Sequence, residues 1–281
     1  MTTAAAGRPE GPGRGTRDRG LAGLRRQTVE FGPAGVLFLA VVFVWEVSLT
    51  LAGVQQFLLP RPTVIVGSLI DEWPILQRGV LYTGFEAFAG LVLGTSLGVG
   101  AAFATARWAT AREALMPIAI GASAIPILAL APITSAWFSA ESPLSRIAIV
   151  TLMVFFPVMI NTVRGLTSVE PEALELMRSY AADDAVVLRK VRIPHALPFF
   201  FTGLRIAATL AVIGAVIGEY FGGPRYALGI YITSEAYVFR YPHAWAGILL
   251  SCLLGILFYV AIIVLERLAM PWQTAQHRRD S

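Results

Sequence analysis

Hydrophobic residues run along this chain in long unbroken stretches, separated by short connections rich in arginine, glycine and proline. Six stretches, near residues 34–54, 84–106, 114–136, 144–165, 199–222 and 244–266, each reach the ~20 residues a helix needs to cross ~30 Å of hydrocarbon. They are continuous rather than alternating, which argues against the ~10-residue strands of a membrane barrel. The expected fold is all-α: a polytopic membrane protein with about six transmembrane helices and no separate soluble domain.

The flanks divide the chain further. Residues 1–30 are rich in Gly, Pro, Arg and Ala without apolar periodicity, and read as a disordered basic tail. Residues 31–270 form the membrane domain and 271–281 a second tail. Arg25-Arg26 ahead of an apolar run has the look of a twin-arginine export signal. The run that follows is long, contains Glu46 and lacks a clear small-residue cleavage site, which favours an uncleaved first span. Pro60 and Pro62 block a helix straight after it. Thr63 to Trp73 is expected to form an amphipathic helix at the outer interface, with Trp73 as anchor.

Small residues recur every fourth position in three spans: Gly90, Gly94 and Gly98; Gly214, Gly218 and Gly222; Gly247, Ser251 and Gly255. Each set shares a helix face where another backbone can approach closely, either in this chain or in a partner. The third span carries Pro117, Pro126 and Pro132 instead. A broken helix survives in a membrane where its freed backbone groups find partners or line a cavity, so Pro126 is a candidate pathway residue, with kinked packing as the alternative.

Charge fixes the expected orientation. Only 14% of residues are charged, against about 25% in a soluble domain. Most arginines fall before span one, between spans two and three, between spans four and five, and after span six. The other side holds only Arg61, Arg78, Arg146, Arg225 and Arg240. The positive-inside bias therefore places both termini in the cytoplasm. The basic residues form no clustered face with interleaved aromatics, so no nucleic-acid partner is expected. Cys252, the single cysteine, is expected as a small packed thiol in span six.

The connection from residue 166 to 198 is patterned. Pro171 suits a first helical turn, with Glu170 and Glu172 near its positive end. Ala173, Leu176, Met177 and Tyr180 follow at helical spacing. Asp183 can cap a second short helix containing Val186, Val187 and Val191, which Pro194 and Pro198 are expected to end. The apolar faces of two such helices need cover, from the bilayer interface or from a groove on a cytoplasmic partner.

This segment resembles the EAA motif of bacterial binding-protein-dependent ABC importers. Glu172-Ala173 matches the opening, Leu174 stands where a second alanine is usual, and Ile193-Pro194 matches the ending. Ala181 occupies the position of a glycine that permits a left-handed turn, so either the two helices run on more continuously or the turn is held under strain of order 1 kcal/mol. Trp45-Glu46 with Leu59-Pro60-Arg61-Pro62, the run AIPILALAPITSAWF and the run GLRIAATLAVIGAVIGEYFGG are similar to the nitrate/sulfonate/taurine branch. Glu86-Ala87 and Glu219-Tyr220-Phe221-Gly222-Gly223 lean toward its thiamine-precursor and riboflavin permeases.

The resemblance implies a type I importer permease bundle in the cytoplasmic membrane of a bacterium. Two copies, as a homodimer, would form the pathway for a small organic molecule or anion. An extracytoplasmic solute-binding protein would deliver the solute. An ATP-binding subunit would dock on Glu172, Ala173, Leu176, Met177, Ala181, Ile193 and Pro194. This chain has no phosphate-cradling G-x-x-x-x-G-K-[ST] loop, so ATP is expected on that partner and no cofactor on this chain.

Glu46, Glu86 and Glu219 lie within or near spans and are candidate pathway residues, because a carboxylate in a membrane is costly. The alternative for each is a structural hydrogen bond. Arg205 is expected to snorkel to the cytoplasmic face. The rival class is a membrane-embedded enzyme, since Gly121-Ala122-Ser123-Ala124 has the look of an intramembrane serine protease turn. That chemistry needs a nearby base, and His195, His243 and His277 are all poorly placed for it. No His, Cys and carboxylate cluster has metal-ligand spacing, so neither a catalytic residue nor a metal site is expected.

Overall fold

A computed structural model describes residues 33, 35–56 and 58–271. The expected N-terminal tail and nearly all of the C-terminal one lie outside the described residues. The chain divides into two compact units, residues 1–63 and 64–281. The first holds α1 (Gly35–Leu51), apolar but short for a full crossing. Within this unit Glu46 Oε1 accepts from the Thr63 hydroxyl (2.8 Å) and Oε2 from the Thr63 amide (3.1 Å). Those bonds fix the start of α2 (Pro62–Asp71), whose first position is the proline expected to interrupt the chain.

The second unit is built on α3 (Trp73–Arg107), α6 (Pro143–Thr167), α9 (Ile193–Glu219) and α11 (Tyr241–Ala269), each long and apolar enough to cross a membrane, α9 with the two short elements before it. α3 begins well before the expected start at residue 84, because Pro74 seeds its first turn. The third expected span is two helices, α4 (Ala109–Ser123) and α5 (Ala131–Phe138), joined across Pro126 by a 3₁₀ turn at Ile127–Leu130. Pro117 sits inside α4 and Pro132 in the first turn of α5. The break falls at Pro126, where a helical ladder would need an amide that proline lacks.

α7 (Pro171–Ser179) and α8 (Asp184–Val187) follow. The second helix does not end at Pro194 or Pro198. It passes through a π turn, Leu188–Arg192, straight into α9. In that turn the Ile193 amide bonds to the Leu188 carbonyl, five residues back. The widened turn resets the ladder, so Pro194 falls in the first turn of α9, where its missing amide costs little. α10 (Leu228–Tyr237) is a helix that periodicity did not reveal.

The glycine stripes explain how α3 and α9 both close on α6. A methyl group added at Gly94 would lie 2.6 Å from the Thr151 carbonyl, and one at Gly98 would lie 2.9 Å from that of Phe155. Gly90 abuts Val150. From the other side, a Cβ at Gly214 would sit 2.7 Å from Met153 Sδ and one at Gly218 would sit 3.0 Å from Arg146 Cγ. The neighbour at these faces is therefore the same chain. Gly222 does not belong to the stripe: α9 ends at Glu219, and Gly222 and Gly223 turn the chain with φ of +154° and +139°, which glycine adopts without steric cost. In α11, Gly247 packs on Ile232 of α10 whereas Gly255 faces open space. Cys252 is exposed on α11 rather than packed.

Candidate functional site

The EAA-like segment is positioned by its own capping. Ala181 adopts φ +49°. The Ala182 amide donates to Met177 O (3.1 Å) and the Ala181 amide to Arg178 O (2.9 Å). This is a Schellman ending with alanine at the left-handed position. Of the two alternatives for Ala181, the structure adopts the strained turn, which ends α7 before α8 begins. Asp183 then caps α8 as its sequence context indicates, Oδ1 accepting from the Val186 amide at 2.8 Å.

No residue of α7 is buried. Glu172 is exposed, Ala173 and Met177 are half-buried, and Leu176 and Tyr180 are 57% and 76% exposed. Ile193 is half-buried and Pro194 exposed. The segment thus presents an acidic residue, a small residue and large apolar side chains together. Such a surface is suited to a protein groove. Beside it, His195 contacts Ser168 (3.2 Å) and Arg205 pairs with Glu266 (3.5 Å), near this end of the bundle.

At the opposite end, Glu86 of α3, Arg146 of α6 and Glu219 of α9 are all fully buried. Arg146 Nε donates to Glu86 Oε1 at 2.7 Å. Its Nη1 donates to the carbonyls of Ala140 (2.8 Å) and Gly222 (3.1 Å), and Nη2 to the Tyr82 hydroxyl (3.0 Å). Glu219 Oε1 accepts from the Thr83 hydroxyl (2.7 Å) and Oε2 from the Gly229 amide (2.6 Å). The Thr83 hydroxyl in turn accepts from the Leu228 amide at 3.2 Å. The first two amides of α10, which no intrahelical bond can satisfy, are thereby closed by side chains of α3 and α9. Glu86 Oε2 has no hydrogen-bond partner among the described residues.

The knot joins three spans, the Gly222 turn and α10. Sequence reading singled out its two carboxylates and missed Arg146, Thr83 and Gly229. An arginine within one turn of a span's end was counted only for topology, although two intramembrane carboxylates were the signal that a cation should face them. Above the knot, Arg240 pairs with Glu72 and Glu235, each at 3.2 Å, and His243 lies 3.7 Å from Glu72. Burial, helped by the Glu72 and Glu235 carboxylates, pushes the Tyr231 phenol of α10 above its usual range.

Between the two ends, the break at Pro126 opens a cavity of about 220 Å³. It is lined by Ser123, Ile125, Pro126, Met153, Phe156 and Leu210 among others, and is predominantly apolar. Ser123 donates to the Ile120 carbonyl at 2.7 Å, so its hydroxyl serves the end of its own helix. Neither described histidine lies beside it: His195 bonds Ser168 and His243 faces Glu72.

A bundle closed by glycine stripes, with a broken third span and an exposed helical hairpin at one end, is the architecture of a solute permease. Residues 90–270 match the binding-protein-dependent transport system inner membrane component. The chain belongs to this family, the permeases of ABC importers, in the branch that includes the sulfonate, taurine and nitrate permeases. It is 35% identical over 246 residues to the formylaminopyrimidine transport permease protein ThiX of Halalkalibacterium halodurans, covering 86% of this chain and 96% of the relative. Identity to the riboflavin transport system permease protein RibX of Chloroflexus aurantiacus is 33% over 246 residues, 85% and 89% of the two chains. The taurine transport system permease protein TauC of Escherichia coli shares 26% over 259 residues, 88% and 90%.

Proposed function

We propose that two copies of this chain form the pathway of a bacterial importer, with both termini in the cytoplasm and α7–α8 docked on an ATP-binding subunit. An extracytoplasmic binding protein delivers the solute at the opposite end. The observation that carries this reading is the hairpin: α7 has no buried residue, yet its conformation is locked by the Schellman turn and the Asp183 cap. A rigid exposed hairpin continuous with α9 through the π turn can pass a push from a partner into the bundle as a lever. The cavity at Pro126, beside Met153 and Leu210, supports a pathway along the broken span. Glu86 and Glu219 are better read as ties holding the outer end together than as solute contacts, because both are fully buried and three of their four oxygens, Glu86 Oε1 and both of Glu219, accept from protein donors. By likeness to the formylaminopyrimidine and riboflavin permeases, a flat, neutral, nitrogen-rich heterocycle is the favoured solute class.

The test is Ala173→Glu in the assembled transporter. It places a bulky charge on the half-buried face of α7 without touching the membrane bundle. Solute-stimulated uptake should fall by about tenfold or more while insertion and monodispersity are retained, since losing a packed interfacial contact costs about 1–3 kcal/mol. Unchanged uptake and unchanged copurification with the ATPase would show that α7 is not the docking element.

A further inference from the structure

The arginines at the knot end of the bundle are not equivalent. Arg146 and Arg240 are committed to carboxylates. Arg78 and Arg225 are exposed, and neither makes a hydrogen bond or ion pair among the described residues. They belong to the same place. Gly79, next to Arg78, is pressed against the backbone carbonyl of Tyr226, next to Arg225. At this junction lies a shallow groove of about 420 Å³ lined by Arg78, Leu81, Tyr82, Phe85 and Tyr226, the residue that follows Arg225. Its walls are fixed: the Tyr82 and Tyr226 rings meet edge to face at 5.5 Å, and Arg146 donates to the Tyr82 hydroxyl.

Below Arg78, as far as Val92, the exposed side chains on the same face of α3 are apolar. Leu81, Phe85, Phe88 and Val92 recur at three- and four-residue spacing and are 47–74% exposed. From Leu81 to Val92 the stripe is ~16 Å long, close to the ~15 Å depth of one leaflet's hydrocarbon. Arg78 lies about one turn beyond its end, at headgroup level, where tyrosines also concentrate. We propose that this groove is a phospholipid site. It takes a lipid with a net negative headgroup, whose phosphate sits between Arg78 and Arg225 and whose acyl chain lies along Leu81, Phe85 and Phe88. A guanidinium pair with no carboxylate partner prefers a net anionic headgroup to a zwitterionic one. A water-soluble anion would use the arginines and leave the apolar stripe uncovered. The site rests on the membrane location of the chain and not on its orientation or solute.

The test uses the full-length chain with Cys252→Ser and Phe88→Cys, labelled with a fluorophore one turn below the groove and placed in nanodiscs. Dibrominated phosphatidylglycerol should half-quench the label at about fivefold lower mole fraction than dibrominated phosphatidylcholine. Arg78→Gln/Arg225→Gln should abolish that preference, and Arg78→Lys/Arg225→Lys should keep part of it. Equal quenching by the two lipids in the parent, or a preference untouched by the double Gln variant, overturns the proposal. So does loss of the preference in millimolar inorganic phosphate, which would assign the arginines to a soluble anion. Weak quenching by both lipids, with disulfide-linked dimers formed by the unlabelled Phe88→Cys variant, would also overturn it by showing a second copy on the stripe.

Discussion

The two ends of this bundle solve the problem of polar groups in opposite ways. Where α9 finishes, charged and polar side chains are sealed inside, and nearly every donor and acceptor is spoken for by a residue distant in sequence. Thr83 meets Glu219 and Leu228, and Arg146 meets Glu86 and Gly222. Where α9 begins, the polar hairpin is exposed and is held by bonds within a few residues, the Schellman turn at Ala181 and the cap at Asp183. Long-range ties make one end a fixed unit. Local ties leave the other end shaped in advance but uncovered, as a surface that acts through a partner should be.

The comparison predicts where substitutions hurt. The largest effect is expected at the knot. Arg146→Met leaves the buried Glu86 carboxylate without its ionic partner, and breaking a buried pair costs about 3–5 kcal/mol. The melting temperature of the full-length chain in detergent should fall sharply, and Glu86→Met added to it should recover much of the loss. A drop no larger than that of an exposed hairpin variant such as Glu172→Gln would break the contrast between the ends. A smaller loss is expected at Gly218, the residue before Glu219. A Cβ at Gly218 already comes within 3.0 Å of Arg146 Cγ, and Gly218→Leu should cost about 1–3 kcal/mol through overpacking. At matched expression it should lower both melting temperature and uptake more than Leu210→Ala, which only enlarges an existing cavity.

Those predictions fall where sequence reading worked unevenly, for physical reasons. The stripe Gly90, Gly94 and Gly98 was legible because residues four apart share a helix face. That its neighbour is α6 was not, since a face does not name what covers it. Gly222 followed the same spacing but lies past the helix end, because periodicity cannot see where a glycine pair turns the chain. Pro126 was legible as a break. Pro194 and Pro198 were misread as ends, because a π turn ahead of a proline leaves no pattern of apolar positions. α10 escaped notice because its first amides are closed by Thr83 and Glu219, and no capping residue beside it signals the start. The hairpin was the most legible part, its signals being local: Pro171, Asp183 and the choice between two conformations at Ala181.

The smallest effect belongs to that choice. Ala181→Gly removes the cost of a left-handed alanine, of order 1 kcal/mol. Amide exchange at Ala182, which bonds Met177 O, should slow, while the global melting temperature stays where it was. Slower exchange throughout the bundle would mean that the hairpin is not a local unit.

The proposed function requires that the hairpin end be completed by an ATP-binding partner, whereas the fixed end is complete within the chain. Hydrogen exchange of the full-length chain, measured alone and then with the ATPase subunit bound, distinguishes the two ends. Residues 171–187 should gain strong protection in the complex, and segments 79–90, 143–150 and 214–230 should be equally protected in both states. No gain across 171–187 on ATPase binding would show that α7 and α8 are not the docking surface.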